Sequence, residues 1–225
     1  FNYSLKYTTK PSRILHNFIN KNTKGIIASD LDYHIPLKGN TQYLGLIPNA
    51  INTEKINYIE QETTDKLIIF LGINRPNYIK KGIRFFEEAL ESIQQNYHDK
   101  VHIIKTENLP YNKYIEAYNK AHIVLDQVYA YDQGYNALEA MAKGKVVFTG
   151  AEQEWLDYYN IEADTIAINA LPNVVAIANK LEWLIDNPEK IKSISKQARA
   201  FIEKEHHYIN IAEKYLYVWE LNSAN

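Results

Sequence analysis

The sequence predicts an α/β fold in which helices cover both faces of a parallel sheet, and three features of its 225 residues support this. From about residue 66 onward, short apolar runs rich in β-branched residues alternate with longer segments of helical period, which is typical of βαβ units. Two segment boundaries carry helix signals, Gly144 at a helix end and Pro188 at a helix start. The hydrophobic fraction of 46% is enough for one large core or two small domains.

Five apolar runs are predicted as buried strands, at residues 66–72, 101–105, 122–126, 145–149 and 165–168. Helices are predicted at 83–93, 114–121 and 135–143, and then at 174–185, from Pro188 onward and at 209–221. This alternation predicts a Rossmann-like domain. The last helix carries apolar residues beyond one stripe, so we expect it to contact two neighbours, one of them the segment before residue 66.

Residues 1–62 contain fewer elements: a helix at 11–20, strands at 25–28 and 43–47, and a turn at Pro48 and Asn49. Two strands and one helix cannot bury a core of their own. The segment therefore either joins the sheet that follows or belongs to a domain whose remainder lies outside this sequence.

Composition excludes several classes of function. Lysine and arginine number 25 against 27 aspartate and glutamate, so the net charge of -2 offers no field to hold a nucleic acid by its phosphates. The absence of cysteine excludes disulfide frameworks, thiolate metal sites and a cysteine nucleophile, and it fits the reducing cytoplasm, where we expect this protein. No apolar run approaches the roughly 20 residues that span a bilayer.

The segment from residue 131 to residue 148 combines the features of a ligand site. Gly134 predicts a tight turn after a strand, and small and apolar residues then pack a helix on the sheet until Gly144 ends it. The start of such a helix directs free amides and a positive dipole end into the crevice where α/β sheets bind ligands, which favours a diphosphate.

Glu139 lies one turn into this helix. A carboxylate there would accept hydrogen bonds from the vicinal hydroxyls of a ribose, which suggests a nucleotide. The alternative is an ordinary surface pair with Lys143 four residues later. The spacing is compatible with both.

The run from Ala137 to Val147, Ala-Leu-Glu-Ala-Met-Ala-Lys-Gly-Lys-Val-Val, resembles the hallmark of retaining glycosyltransferases of the GT-B fold. The resemblance extends over residues 63–225 and implies that they form the Rossmann-like domain that binds the nucleotide-sugar donor, ending in a C-terminal crossover helix. It implies that residues 1–62 are the truncated tail of the acceptor-binding domain plus the linker. The fragment by itself is then expected to be inactive.

The same resemblance assigns roles to site residues. Arg75 and Lys81 would neutralise the donor diphosphate and Glu139 would bind the ribose, so that transfer needs neither a metal nor another cofactor. The first glutamate of the family motif should fall at position 131, where this sequence has Tyr131. Either Asp132 takes over, or the donor differs, or activity is reduced. The predicted donor loop comprises Tyr131, Asp132, Gln133, Gly134, Tyr135 and Asn136.

The resemblance thus predicts a retaining, metal-independent transferase that takes a UDP- or GDP-sugar and a glycan or lipid-linked acceptor, with peripheral membrane contact through the N-terminal domain and no nucleic acid. An alternative function is a non-catalytic Rossmann-like interaction module with a degenerate donor site. The Asp30-Leu31-Asp32 run has three interpretations: a metal-binding pair, a helix or turn cap, and part of the acceptor cleft.

Overall fold

The computed structural model describes residues 9–61, 65–107 and 109–223 of the chain. The strands are β1 (Ile26–Ala28), β2 (Tyr43–Leu46), β3 (Leu67–Ile73), β4 (Val101–Glu107), β5 (Ile123–Leu125), β6 (Val146–Thr149) and β7 (Ile168–Asn169). The helices are α1 (Lys10–Asn22), α2 (Leu31–Leu37), α3 (Ile83–Asn96), α4 (Tyr111–Lys120), α5 (Tyr135–Ala142), α6 (Gln153–Tyr159), α7 (Val174–Asp186), α8 (Pro188–Glu205) and α9 (Tyr208–Ser223).

The larger sheet has five parallel strands in the order β4-β3-β5-β6-β7. The chain runs from β3 to β4 on one side and then crosses to β5 on the other side of β3. The switch point of this α/β sheet therefore lies between the carboxyl ends of β3 and β5, which is where such sheets bind ligands.

Alternate residues of each strand point to opposite faces of this sheet, and helices cover both faces. On one face Ile69 and Leu71 of β3 pack with α3 and α7, and on the other Phe70 packs with α4, α5 and α8. The predicted Rossmann-like α/β fold is confirmed.

One strand lies elsewhere than predicted. The run at 165–168 suggested a strand, but the residues that pair with β6 are Ile168 and Asn169. Asp164 has a left-handed φ of 60° and the Thr165 hydroxyl donates to the carbonyl of Glu162, so the chain is still turning where the strand was expected.

The N-terminal segment does not join the large sheet. Its two strands pair with each other in parallel, β1 with β2, beside α1 and α2. Of the two alternatives left open by the sequence, the described residues therefore do not support joining the sheet that follows. Helix α2, which contains Pro36, was not predicted as an element. Asp30 caps it by accepting a hydrogen bond from the Tyr33 amide at 3.0 Å, which agrees with one of the three interpretations of the Asp30-Leu31-Asp32 run. Helix α6, also missed, occupies a predicted loop.

The segment between the two sheets is held by the C-terminal helices. The Arg199 guanidinium donates to the carbonyls of Thr53 and Ile56 and to that of Ala142 at the end of α5. Ile51 pairs with the start of α9, as expected for that helix, but the side chains further along it, such as Trp219, are exposed rather than packed. In the described part of the chain, no helix is long and apolar enough to cross a membrane.

Candidate active site

A cavity of about 460 Å³ opens at the carboxyl ends of β3 and β4. It lies beside the switch point, where the α/β topology predicts ligand binding. The Thr106 hydroxyl at its wall is buried and has no hydrogen-bond partner among the described residues. The lining residues are Gly72, Ile73, Asn74, Pro76, Lys81, Thr106, Leu109, Tyr114 and Asn136.

The loop after β3 places Lys81 at this cavity. It forms one turn of 3-10 helix over Arg75–Asn77 and ends at Gly82, which has a φ of +67°. Any Cβ at Gly82 would lie 2.8 Å from the Cβ of Val128, and the Val128 amide donates to the Lys81 carbonyl. Glycine is thus required here by both conformation and space, and it brings the lysine loop against the segment after β5.

Lys81 belongs to a buried polar network. Its Nζ lies 2.7 Å from Oδ1 of Asp126, whose side chain is 1% exposed, and the same oxygen accepts a hydrogen bond from Nδ2 of Asn136 at 2.8 Å. The Tyr114 hydroxyl donates to Oδ1 of Asn136, and the Tyr118 hydroxyl donates to the backbone carbonyl of Asn136. Sequence reasoning missed Asp126 because it was counted within a strand.

Arg75 lies at the rim, outside the residues that line the cavity, and it has a carboxylate partner. Its Nε and Nη2 each lie 2.6 Å from an oxygen of Glu107, the last residue of β4. This pair raises the pKa of Arg75 and lowers that of Glu107 through the shared hydrogen bonds. Because both side chains are well exposed, the pair is weak and a phosphate could displace the carboxylate.

Helix α5 begins at the crevice as predicted, and Ala137, Leu138 and Met141 are buried against the sheet. Gly144 has a φ of +78°, which confirms the predicted helix end. Gly134 differs from the prediction: its φ is -79°, so no left-handed turn requires a glycine there. A Cβ at that position would meet only Nε2 of Gln127, at 4.0 Å, so space does not require a glycine either.

Glu139 is exposed on α5 and, like Arg75, does not line the cavity. The alternative ion pair with Lys143 is not formed among the described residues. Instead, Nζ of Lys143 donates to Oδ1 of Asn119 at 2.6 Å and lies over the ring of Tyr118. The carboxylate of Glu139 is thus not held by Lys143.

The beginning of the donor loop faces the N-terminal segment. The Tyr131 amide donates to the carboxylate of Asp32 at 3.3 Å, and the Leu31 amide donates to Oδ2 of Asp132 at 2.9 Å. Gln133 is buried and donates to the Gly150 carbonyl. Of the predicted loop, the structure places Asn136 at the cavity, whereas Tyr131 and Asp132 contact the segment around α2.

Three carboxylates meet at this contact. One oxygen each of Asp30, Asp32 and Asp132 lies within 4.8 Å of the others. Burial, with the charges of the other two aspartates, raises the pKa of Asp132 to about 7, and the hydrogen bond from Leu31 opposes this. The oxygens are close enough to hold a hard divalent cation. The sequence could not predict this grouping, since Asp132 lies about a hundred residues from the other two.

Several solved structures share the fold of this chain. Sucrose-phosphate synthase from Thermosynechococcus elongatus is 18% identical, with a TM-score of 0.69 over 99% of this chain and 65% of that one. TarM is 16% identical, with a TM-score of 0.69 over 97% and 48%. HepE from Anabaena, solved with UDP and glucose, is 14% identical, with a TM-score of 0.67 over 96% and 68%. The chain thus spans about two thirds of the length of sucrose-phosphate synthase and about half of the length of TarM.

A sequence search of curated proteins finds no significant match. A family model described as glycosyl transferase-like matches residues 77–217, which is more than half of the chain and includes the Lys81 loop and α5. Together with the α/β architecture shared with those structures, this confirms the resemblance to the C-terminal domain of GT-B glycosyltransferases. The chain belongs to the glycosyl transferase-like family.

Proposed function

We propose that the five-stranded domain binds a nucleoside-diphosphate sugar and forms the donor half of a retaining transferase that acts on a glycan or lipid-linked acceptor. One observation carries this proposal: Lys81 and the first turn of α5 meet at a cavity beside the switch point of the sheet. The reported structures are consistent with it, since HepE was solved with UDP and glucose, and TarM was solved with UDP and alpha-GlcNAc-glycerol.

Positive charge for the leaving diphosphate would come from three groups. Lys81 uses one hydrogen-bond donor on Asp126, which leaves two for phosphate oxygens. The amides at the start of α5 supply a second set of donors. Arg75 would exchange its exposed partner Glu107 for a phosphate. These groups would stabilise the departing nucleoside diphosphate without a metal ion.

The nucleoside and the sugar would be held by groups around the cavity. The unpartnered Thr106 hydroxyl and the side chain of Asn74 offer hydrogen bonds between the apolar surfaces of Pro76 and Tyr114. Glu139 would accept from the ribose hydroxyls. Asp132, Gln133 and Tyr135 would lie toward the sugar, with Tyr131 in place of the family glutamate.

We propose that residues 1–62 are part of an acceptor-binding domain and its linker. Their strands pair apart from the large sheet, and α1 has no buried residue, so residues 9–61 as described do not form a core of their own. On this proposal residues 63–225 bind the donor.

A non-catalytic module with a degenerate donor site is the second candidate. Two observations favour it: both predicted phosphate-binding cations carry carboxylate partners, and Tyr131 replaces a sugar-binding glutamate. Such a module would bind nucleotide, and no sugar transfer would be detected even in a longer protein that contains this chain.

Calorimetric titration with UDP, GDP and the matching nucleosides tests the proposal. We expect one diphosphate to bind more tightly than its nucleoside, and Glu139→Ala to weaken both, because the ribose is common to them. Glu116→Ala is the matched control, since Glu116 is an exposed helix glutamate that pairs with Lys120. Failure of both diphosphates to bind at millimolar concentration would rule the proposal out.

A further inference from the structure

We propose that Asp126 is a positioning residue that holds Lys81 and the first turn of α5 at a fixed separation for a diphosphate. This inference rests on the proposed function, because the diphosphate is the donor's. It assigns a role to a residue that lies outside the predicted site residues. Asp126 does not line the cavity, so it would act through its two partners, which do.

The backbone fixes Asp126 at the switch point. It follows the last residue of β5, and its amide donates to the carbonyl of Phe148 in β6 at 2.9 Å, which extends the pairing of those strands. Its side chain is 1% exposed, whereas that of Lys81 is 28% exposed. The carboxylate is therefore the rigid member of the pair, and the lysine is the member that reaches toward solvent.

Both partners bind the same oxygen. Nζ of Lys81 approaches Oδ1 at 2.7 Å from the loop after β3, and Nδ2 of Asn136 approaches it at 2.8 Å from α5. The amide of Asn136 is fixed in turn, because its Oδ1 accepts from the Tyr114 hydroxyl at 3.3 Å. One buried carboxylate thus joins the two elements that the proposed function assigns to the diphosphate.

The charge of Asp126 argues for positioning rather than attraction. A carboxylate beside Lys81 reduces the attraction of that lysine for an anion, so it does not act by raising the local positive potential. A buried carboxylate with two donors is costly to leave unpaired, and this keeps Lys81 from turning away into water. The result is a lysine whose two remaining donors have a defined direction before the ligand arrives.

The test compares the affinity for a nucleoside diphosphate with the affinity for its nucleoside, using UDP and uridine or GDP and guanosine according to wild-type preference. Asp126→Leu keeps a side chain branched at Cγ, although a bulkier one, and removes the acceptor. We expect its preference for the diphosphate to fall by about tenfold, since a charge-assisted hydrogen bond is lost, while nucleoside affinity stays within about twofold. Asp126→Asn keeps an acceptor oxygen, and we expect it to restore most of the preference.

A structural role for Asp126 would change stability or both affinities together, so an unchanged preference in a folded Asp126→Leu protein overturns the inference. If that variant does not fold, Asn136→Ala replaces it, because it removes one partner from a half-buried position. We expect the same selective loss, and an unchanged preference again overturns the inference. A wild-type chain that binds neither UDP nor GDP overturns the proposed function as well, which distinguishes the two failures.

Discussion

Lys145 is a buried lysine whose titration should be visible in the stability of the chain. It follows the helix end at Gly144, it is 1% exposed, and its Nζ donates to the carbonyl of Asn119 at 2.8 Å. Burial, together with the nearby charge of Lys143, lowers the pKa of Lys145 to about 8. Lys145→Met would remove the ammonium and keep most of the side-chain volume.

The sign of the effect follows from the two pKa values. The folded chain binds the Lys145 proton with a pKa of about 8, and the unfolded chain binds it with the ordinary value of 10.5. Between these limits the unfolded state holds more protons, so the free energy of unfolding rises with pH. The difference between the pKa values corresponds to about 3 kcal/mol. The methionine variant lacks this dependence.

Urea unfolding of both proteins at pH 7, 8, 9 and 10 measures this difference. At pH 7 we expect Lys145→Met to be more stable by about 2 kcal/mol, because the cost of the buried ammonium exceeds that of the lost hydrogen bond to Asn119. Between pH 7 and pH 10 the difference in the free energy of unfolding between the two proteins should shift by about 3 kcal/mol in favour of the wild type. Lys190→Met, at an exposed position of α8, is the control and should show no such shift. A difference that stays constant from pH 7 to pH 10 would refute the reasoning.

Three further predictions concern the framework of the site. Gly82→Ala should lower the free energy of unfolding by about 2 kcal/mol and weaken UDP binding, because it strains a left-handed residue against Val128; urea unfolding and calorimetry measure the two effects. Arg199→Met should cost about 3 kcal/mol or more in urea unfolding, since three carbonyls lose a charged donor. The stability of Asp132→Asn relative to wild type, measured in EDTA, should be greater at pH 8 than at pH 5 by about 3 kcal/mol. The reason is that the pKa of Asp132, raised to about 7, stabilises the wild-type fold while this carboxyl is protonated, and the contribution is lost as the pH rises through 7. An equal difference in stability at both pH values would contradict this.

Periodicity was enough to predict the domain framework. The β3, β5 and β6 runs are almost continuously apolar because both faces of the sheet are covered, and such runs are distinguishable from helices by their length. The end of α5 was also predictable, since Gly144 adopts a backbone conformation that glycine favours. These features depend on local sequence, so a single sequence is enough to predict them.

The candidate site was less predictable because its contacts join distant segments. Asp126 binds a lysine 45 residues before it, and Asp132 accepts from an amide 101 residues before it. No local pattern marks either contact. Helix α2 was missed for a related reason: Pro36 lowers its helix propensity, and the Asp30 cap outweighs that cost only in the folded chain.

The acidic group offers a physical reason for the departure from the family motif at Tyr131. The Tyr131 amide already donates to Asp32, and Asp132 beside it lies within 4.8 Å of both Asp30 and Asp32. A glutamate at position 131 would bring another negative charge next to Asp132, whose pKa is already raised by burial and by the charges of Asp30 and Asp32. Tyrosine at that position keeps the backbone contact without the added charge. The contact between the Tyr131 amide and Asp32 joins the N-terminal segment to the start of the predicted donor loop, and a motif compared position by position within residues 63–225 would miss that contact.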